Sequence, residues 1–170
     1  MAEPSPFNLS KCFTQLVGRK VTFVQTTFAL DGKIKQAFGV YSLQPIDSVI
    51  IVKADLALLG SFAGALVGLP EPSVKEHLKT EPLGELMRDA ISEVLNVAAA
   101  AVVAEGGRAV FKKLLLDPSY MDQNATKVYK DPFHRSYFTV QVEGYQGGRF
   151  AILTPFIPSR ALMARKEKSV

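Results

Sequence analysis

The stretch Asp89-Ala-Ile-Ser-Glu93-Val-Leu-Asn96 holds two carboxylates and a carboxamide at a spacing that a helix turns into one polar stripe. At about 100° per residue, Glu93 falls roughly 40° from Asp89 and Asn96 about 20° to the other side. The other side of the same segment is apolar, with Met87, Ala90/Ile91 and Val94 at inward spacing. A carboxylate and a carboxamide one turn apart can grip a partner and orient a water molecule. The plainer alternative is a solvated helix face. Two features favour chemistry. Asparagine is a poor mid-helix residue because its amide competes for backbone bonds. Ala100 and Val103 continue its face as a smooth, partly apolar strip suited to docking against another protein.

Other catalytic constellations find little to build on. There are two histidines, His77 and His134, and one cysteine, too few for a Ser-His-Asp or Cys-His system. No CxxC, HExxH or paired-histidine spacing supports a zinc site, so no metal or cofactor is expected on this chain. Cys12 falls on an apolar helical stripe and reads as core filler. Gly144-Tyr-Gln-Gly-Gly148 lies between strand-like segments, where a hairpin turn is expected rather than a phosphate-cradling loop. The basic residues lack interleaved aromatics, so nucleic acid is not expected as a partner. Asn8-Leu-Ser and Asn124-Ala-Thr are glycosylation sequons in form only.

The chain has 170 residues, 48% hydrophobic and 21% charged, which suits one globular domain with a substantial core. A lone cysteine and a start without basic head or apolar run point to a cytoplasmic protein. Leu56–Leu69 is the longest apolar run but is short of the about 20 residues that cross a bilayer, so no transmembrane segment is expected. The net charge of +4 owes much to Arg160, Arg165, Lys166 and Lys168. These read as a basic, flexible, solvated tail over about 160–170, with an acidic partner or membrane surface as the alternative.

The elements that must position the stripe follow from periodicity. A short helix is expected over Leu9–Val17, ended by Gly18, then strands over Lys20–Thr27, Gln36–Leu43 and Ser48–Lys53. The Val-Ile-Ile-Val run of the third implies burial on both faces. Leu56–Leu69 reads as a helix whose Gly60, Gly64 and Gly68 make a flat face, with Ala98–Ala101 and Ala104 as the expected packing partner. Pro70-Glu-Pro breaks the chain. A second long helix is expected over Leu83–Ala104, with Val97 and Ala101 inward, ended by Gly106-Gly107. Arg108–Leu116 reads as a helix or turn stopped by Asp117-Pro118. Lys127–Lys130 is a weak strand, and Tyr137–Glu143 with Gly148–Thr154 form a hairpin around Tyr145-Gln-Gly-Gly. The fold class is α+β, an antiparallel sheet packed by two long helices.

Asp89-x3-Glu93-x2-Asn96, followed after 21 residues by Pro118, resembles the signature of the CheC/CheX/FliY phosphatases. These proteins dephosphorylate the response regulator CheY in bacterial chemotaxis, a two-component signalling system. The family pattern is Asp or Ser, three residues, Glu, two residues, Asn, and usually a 22-residue gap to Pro. Ser5-Pro-Phe before a short helix, the order of strands and helices, and the single motif are similar to CheX, implying one CheX-like domain over 1–170. The chain departs from the pattern in its gap and in Ala98–Ala101, where glycines commonly follow the Asn.

The resemblance implies a protein aspartyl-phosphate phosphatase, a hydrolase whose partner is a phosphorylated CheY-type receiver carrying its own Mg²⁺. Asn96 would orient the attacking water and Glu93 would pair with a receiver lysine, although a lone Glu can also serve as general base. Asp89 and Pro118 would support the motif, Asp89 by favouring the helix dipole and Pro118 by shaping the following turn. A homodimer through sheet edges is a further expectation, with Tyr137–Glu143 or its neighbour as the edge. Two other readings stay open at this point: a non-catalytic receiver- or flagellar-switch-binding module of the same fold, and a scaffold assembled through the Gly60/Gly64/Gly68 face.

Overall fold

In a computed structural model, which describes residues 4–103 and 107–158, six strands make one antiparallel sheet. They are β1 (Val21–Thr26), β2 (Gln36–Gln44), β3 (Ser48–Asp55), β4 (Arg108–Leu115), β5 (His134–Val142) and β6 (Tyr145–Thr154), in the spatial order β1-β5-β6-β3-β2-β4. The helices are α1 (Pro6–Val17), α2 (Leu56–Val67), α3 (Glu71–Leu78), α4 (Glu85–Val97) and α5 (Gln123–Lys130). The expected α+β class holds, and β1, β2, β3, α1 and α2 fall where periodicity places them. Ala104, Gly106 and the cluster Arg160, Arg165, Lys166 and Lys168 lie outside the described residues.

Both sheet faces are buried at the centre, as the Val-Ile-Ile-Val run of β3 implies. Ile50, Val52 and Ala54 face a large core with α1, α2 and α4, while Ile51 faces a second cluster under α5. α1 starts on Ser5, whose hydroxyl accepts from the Asn8 N–H, and ends on Gly18 in the left-handed region at φ 70°. Cys12 on this helix is half-buried against the core, and burial pushes its thiol pKa up, which fits filler rather than nucleophile.

Several expectations are corrected. Arg108–Leu116 is not helix or turn but edge strand β4. Val40 pairs with Lys113 and Tyr41 with Phe111, leaving Lys112 as an extra residue. That bulge inverts the alternation midway, which hides the period of two. Lys127–Lys130 belongs to helix α5, started by Asp122, whose carboxylate accepts from the Ala125 N–H at 2.9 Å. Pro70-Glu-Pro follows the end of α2 as the expected break, and it also opens α3, a helix the periodicity did not show, since proline is tolerated in a first helical turn.

The expected helix over Leu83–Ala104 is shorter: α4 ends at Val97, and a 3₁₀ turn takes Ala98–Ala100. Ala98, Ala101 and Val102 turn into the core, so packing diverts the chain from the helix axis, and Val97 stays 42% exposed rather than inward. The hairpin turns at Glu143-Gly144, with Gly144 at φ 80°, and not at Tyr145-Gln-Gly-Gly, which lies within β6. Gly147 there sits where a Cβ would lie 2.4 Å from the Val140 carbonyl. β5 lies between β1 and β6, so Tyr137–Glu143 is no edge; β1 and β4 are the edges.

The flat glycine face of α2 meets α3, not Ala98–Ala101. A Cβ on Gly60 would lie 2.6 Å from Leu78 and one on Gly64 2.2 Å from Val74, while Gly68 caps the helix in the left-handed region at φ 80°. With α3 seated there, the face is internal and the scaffold reading loses its surface. Gly64→Leu is therefore expected to lower stability by about 1–3 kcal/mol through overpacking, several degrees in thermal midpoint. An altered assembly size with an unchanged melting curve would contradict this placement.

Candidate functional site

Asp89, Glu93 and Asn96 are all exposed on α4, while Met87, Ala90, Ile91, Val94 and Leu95 are buried beneath it. One turn of helix, about 5 Å of rise, separates Glu93 from Asn96. Among the described residues, none of the three side chains makes a hydrogen bond or ion pair. The fold thus spends none of this stripe on its own cohesion. α4 starts at Glu85 with Gly84 as its cap, so the first-turn acid is Glu85 and Asp89 lies one turn further in. The dipole argument passes to Glu85, because the effect fades within the first turn.

Apolar groups border the stripe. Leu86 is 51% exposed and lies about 20° from Glu93 on the helical wheel; exposed Val97 follows on the same side. Beside Asn96 a groove of about 490 Å³ is lined by Val97, Ala100, Val103, Arg108 and Ala109. Arg108 begins β4 and lines the same groove as Asn96. Linear spacing carried no signal for it, because the strand itself was hidden. Ala100 and Val103 do continue the face of Asn96, as expected. Pro118 is half-buried and opens a 3₁₀ turn beyond the far end of β4; it does not line this groove. Asp117 caps that turn by accepting from the Ser119 N–H at 2.9 Å, a bond that holds its carboxyl below the usual range.

Two residues that sequence reasoning passed over fix the end of α4. Tyr41 on β2 is fully buried, and its hydroxyl donates to the Leu95 carbonyl at 2.6 Å. The last four carbonyls of a helix lack intrahelical partners, so this bond satisfies one of them in the core. Two residues earlier, Gly39 lets Leu95 close on the sheet; a Cβ there would lie 3.2 Å from its side chain. Burial pushes the Tyr41 phenol pKa well above the usual range, with Cys12 adding to the effect, so it remains a neutral donor.

Among the described residues, no group of three or more His, Cys, Asp or Glu could hold a metal ion, and no helix is long and apolar enough to cross a membrane.

No protein-family model matches the chain, and no curated protein matches it. Solved structures do. The chain is similar to FliY of Thermotoga maritima, with a TM-score of 0.54 at 13% identity, covering 94% of this chain and 87% of that one. It is similar to the FliM middle domain of H. pylori, with a TM-score of 0.52 at 13% identity over 94% and 90%. A third is CheX of Borrelia burgdorferi, solved as a CheX–CheY–BeF₃–Mg²⁺ complex, at 0.52 and 12% identity over 88% and 94%. The protein has the CheC/CheX/FliY fold.

Tyr41→Phe tests how the site is held. Leaving the Leu95 carbonyl unpaired in the core is expected to cost about 1–3 kcal/mol, read as a lower denaturation midpoint. A helix end set free should also sharpen hydrogen exchange at Leu95–Ala98; exchange unchanged there would show that Tyr41 does not anchor α4.

Proposed function

We propose that the protein is a CheX-like phosphatase that hydrolyses the aspartyl phosphate of a CheY-type receiver, working in chemotaxis-type signalling. The observation that carries this is the pair Glu93 and Asn96, exposed one turn apart on α4 and unused by the fold. The likeness to CheX in a complex with CheY supports it.

In this reading α4 docks on the receiver, Leu86 and Val97 supply apolar contact, and Glu93 pairs with a receiver lysine to fix register. Asn96 enters the receiver's active site and aligns a water with its side-chain amide. The water oxygen bonds to phosphorus as the phosphorus–carboxylate oxygen bond breaks. The aspartate leaves with the electron pair, and the water proton passes to the phosphate product or to solvent. The receiver's own Mg²⁺ neutralises the phosphoryl charge, so positioning and electrostatics carry the rate. Arg108, at the edge of the groove, adds positive charge near a phosphoryl group.

A second reading rests on the FliM likeness, which is as strong as that to CheX. The same fold would then bind a receiver or a flagellar-switch protein through α4 without hydrolysis.

Decay of a phosphorylated CheY-type receiver separates the two. The wild-type protein should shorten phosphate lifetime, and Asn96→Ala should remove about 100-fold of that acceleration with its melting curve unchanged, because the side chain is exposed and makes no hydrogen bond or ion pair among the described residues. Glu93→Ala should weaken receiver binding. Binding with no effect on phosphate lifetime would select the second reading, and full turnover by Asn96→Ala would end the first.

A further inference from the structure

The sheet face opposite α4 holds a cavity that the reading above does not use. α5 covers β2, β3 and one end of β6 on that face, while the β1–β2 connection arches over the neighbouring part. Between them a space of about 240 Å³ remains, floored by Ala151 and Leu153 and closed on one side by Ala29 and Leu30. Ala151 creates it. Its neighbours in register are Lys53 on β3 and Tyr137 on β5, and residues paired across an antiparallel sheet point to the same face. A methyl between an ammonium stem and a phenol leaves a hollow with polar walls.

Those walls carry one sign of charge. Lys53, Arg135, Tyr129 and Tyr137 are the polar side chains lining the cavity, and no carboxylate lines it. The Lys53 ammonium lies 5.6 Å from the centre of the Tyr129 ring. Neither Lys53 nor Arg135 has an ion-pair partner among the described residues. Burial without compensating charge pulls the Lys53 pKa down. A third cation, Arg149, lies on the same face two residues before Ala151, and its guanidinium donates to the Phe28 carbonyl, holding the arch in place. The nearby acids do not line the cavity: one oxygen of Asp55 accepts from the Arg149 N–H at 2.8 Å while the other is buried without a hydrogen-bond partner, and Asp31 accepts from the Lys33 N–H at 2.9 Å.

We propose that this cavity is a binding site for a small phosphate-class oxyanion, with Lys53 and Arg135 supplying charge and the Tyr129 and Tyr137 hydroxyls supplying neutral donors. Two cations and two hydroxyls suit a dianion with several acceptor oxygens, and a guanidinium fork matches phosphate geometry. The space exceeds what several water molecules fill, at about 30 Å³ each, so an organic group esterified to the phosphate also fits. The site rests on no residue of α4.

Calorimetric titration of the full chain with inorganic phosphate, and separately with a nucleoside monophosphate, tests this in chloride-poor buffer. Saturable binding below about 10 mM is expected, weakened about tenfold or more in Lys53→Met and in Arg135→Leu through loss of a charge-assisted contact, and preserved in Lys53→Arg. Ala151→Leu, which fills the hollow, should abolish binding; far-ultraviolet circular dichroism establishes whether it folds, and the two charge variants decide the matter if it does not. Equal affinity for the two ligands would assign the site to the oxyanion alone, and tighter binding of the nucleotide to a phosphate ester. Binding that fails to saturate, or that survives Lys53→Met and Arg135→Leu unchanged, overturns the proposal.

Discussion

The bond from the Tyr41 hydroxyl to the Leu95 carbonyl joins the two halves of this protein, the sheet and the helix that carries its polar stripe. Its donor stands on β2, paired on both sides by β3 and β4, so its position is set by two ladders of backbone bonds. Its acceptor is the residue before Asn96. A buried phenol with a raised pKa keeps its proton, so the bond does not switch within the physiological range. Gly39 completes the contact by leaving room for Leu95. The last turn of α4 is held at this point, the 3₁₀ turn after it by the burial of Ala98, Ala101 and Val102, and Arg108 by pairing with Gln44 on the same strand β2.

α4 has 13 residues, a length at which isolated helices are marginal in water. It persists because Met87, Ile91, Val94 and Leu95 are buried in the main core, each worth about 1.5–3 kcal/mol when fully removed from water. That surplus frees the outer face. Asparagine is tolerated there although it is a weak helix former, and Asp89, Glu93 and Asn96 need not pair with anything in the chain. A face with no structural duty can be shaped entirely by what binds it.

Much of this was legible along the chain. The stripe at Asp89, Glu93 and Asn96 is visible because its spacing is local and its helix strongly amphipathic. β3 shows itself through a continuous β-branched run. What stayed hidden depends on contacts distant in sequence. The bulge at Lys112 is defined by β2, some seventy residues earlier, so β4 lost its alternation and Arg108 its place beside Asn96. The partner of the Gly60/Gly64 face could not be chosen by composition, since Leu78 and Val74 close over glycine as well as alanine does. Tyr41 reads as one more aromatic in a strand; only the fold shows that its hydroxyl meets a helix end.

The unequal chemistry of the stripe also bears on how it would act when docked. Exposed polar groups in water exert weak forces, and those forces strengthen once a partner excludes solvent. Desolvating a neutral amide costs about 1–3 kcal/mol when its bonds are not replaced, whereas an unpaired carboxylate costs far more. Asn96 is therefore the group that can travel deepest into a partner's site, where its bonds to solvent are exchanged for bonds to an ordered water. Glu93, one turn away, keeps its charge only where a cation meets it, which places it at the margin against a basic residue. Under the proposed reading this order of depth follows from desolvation alone, and it favours gripping over general-base work for Glu93. The exposed Leu86 and Val97 complete the arrangement, because the apolar area they bury on docking helps offset the cost of drying the polar groups between them.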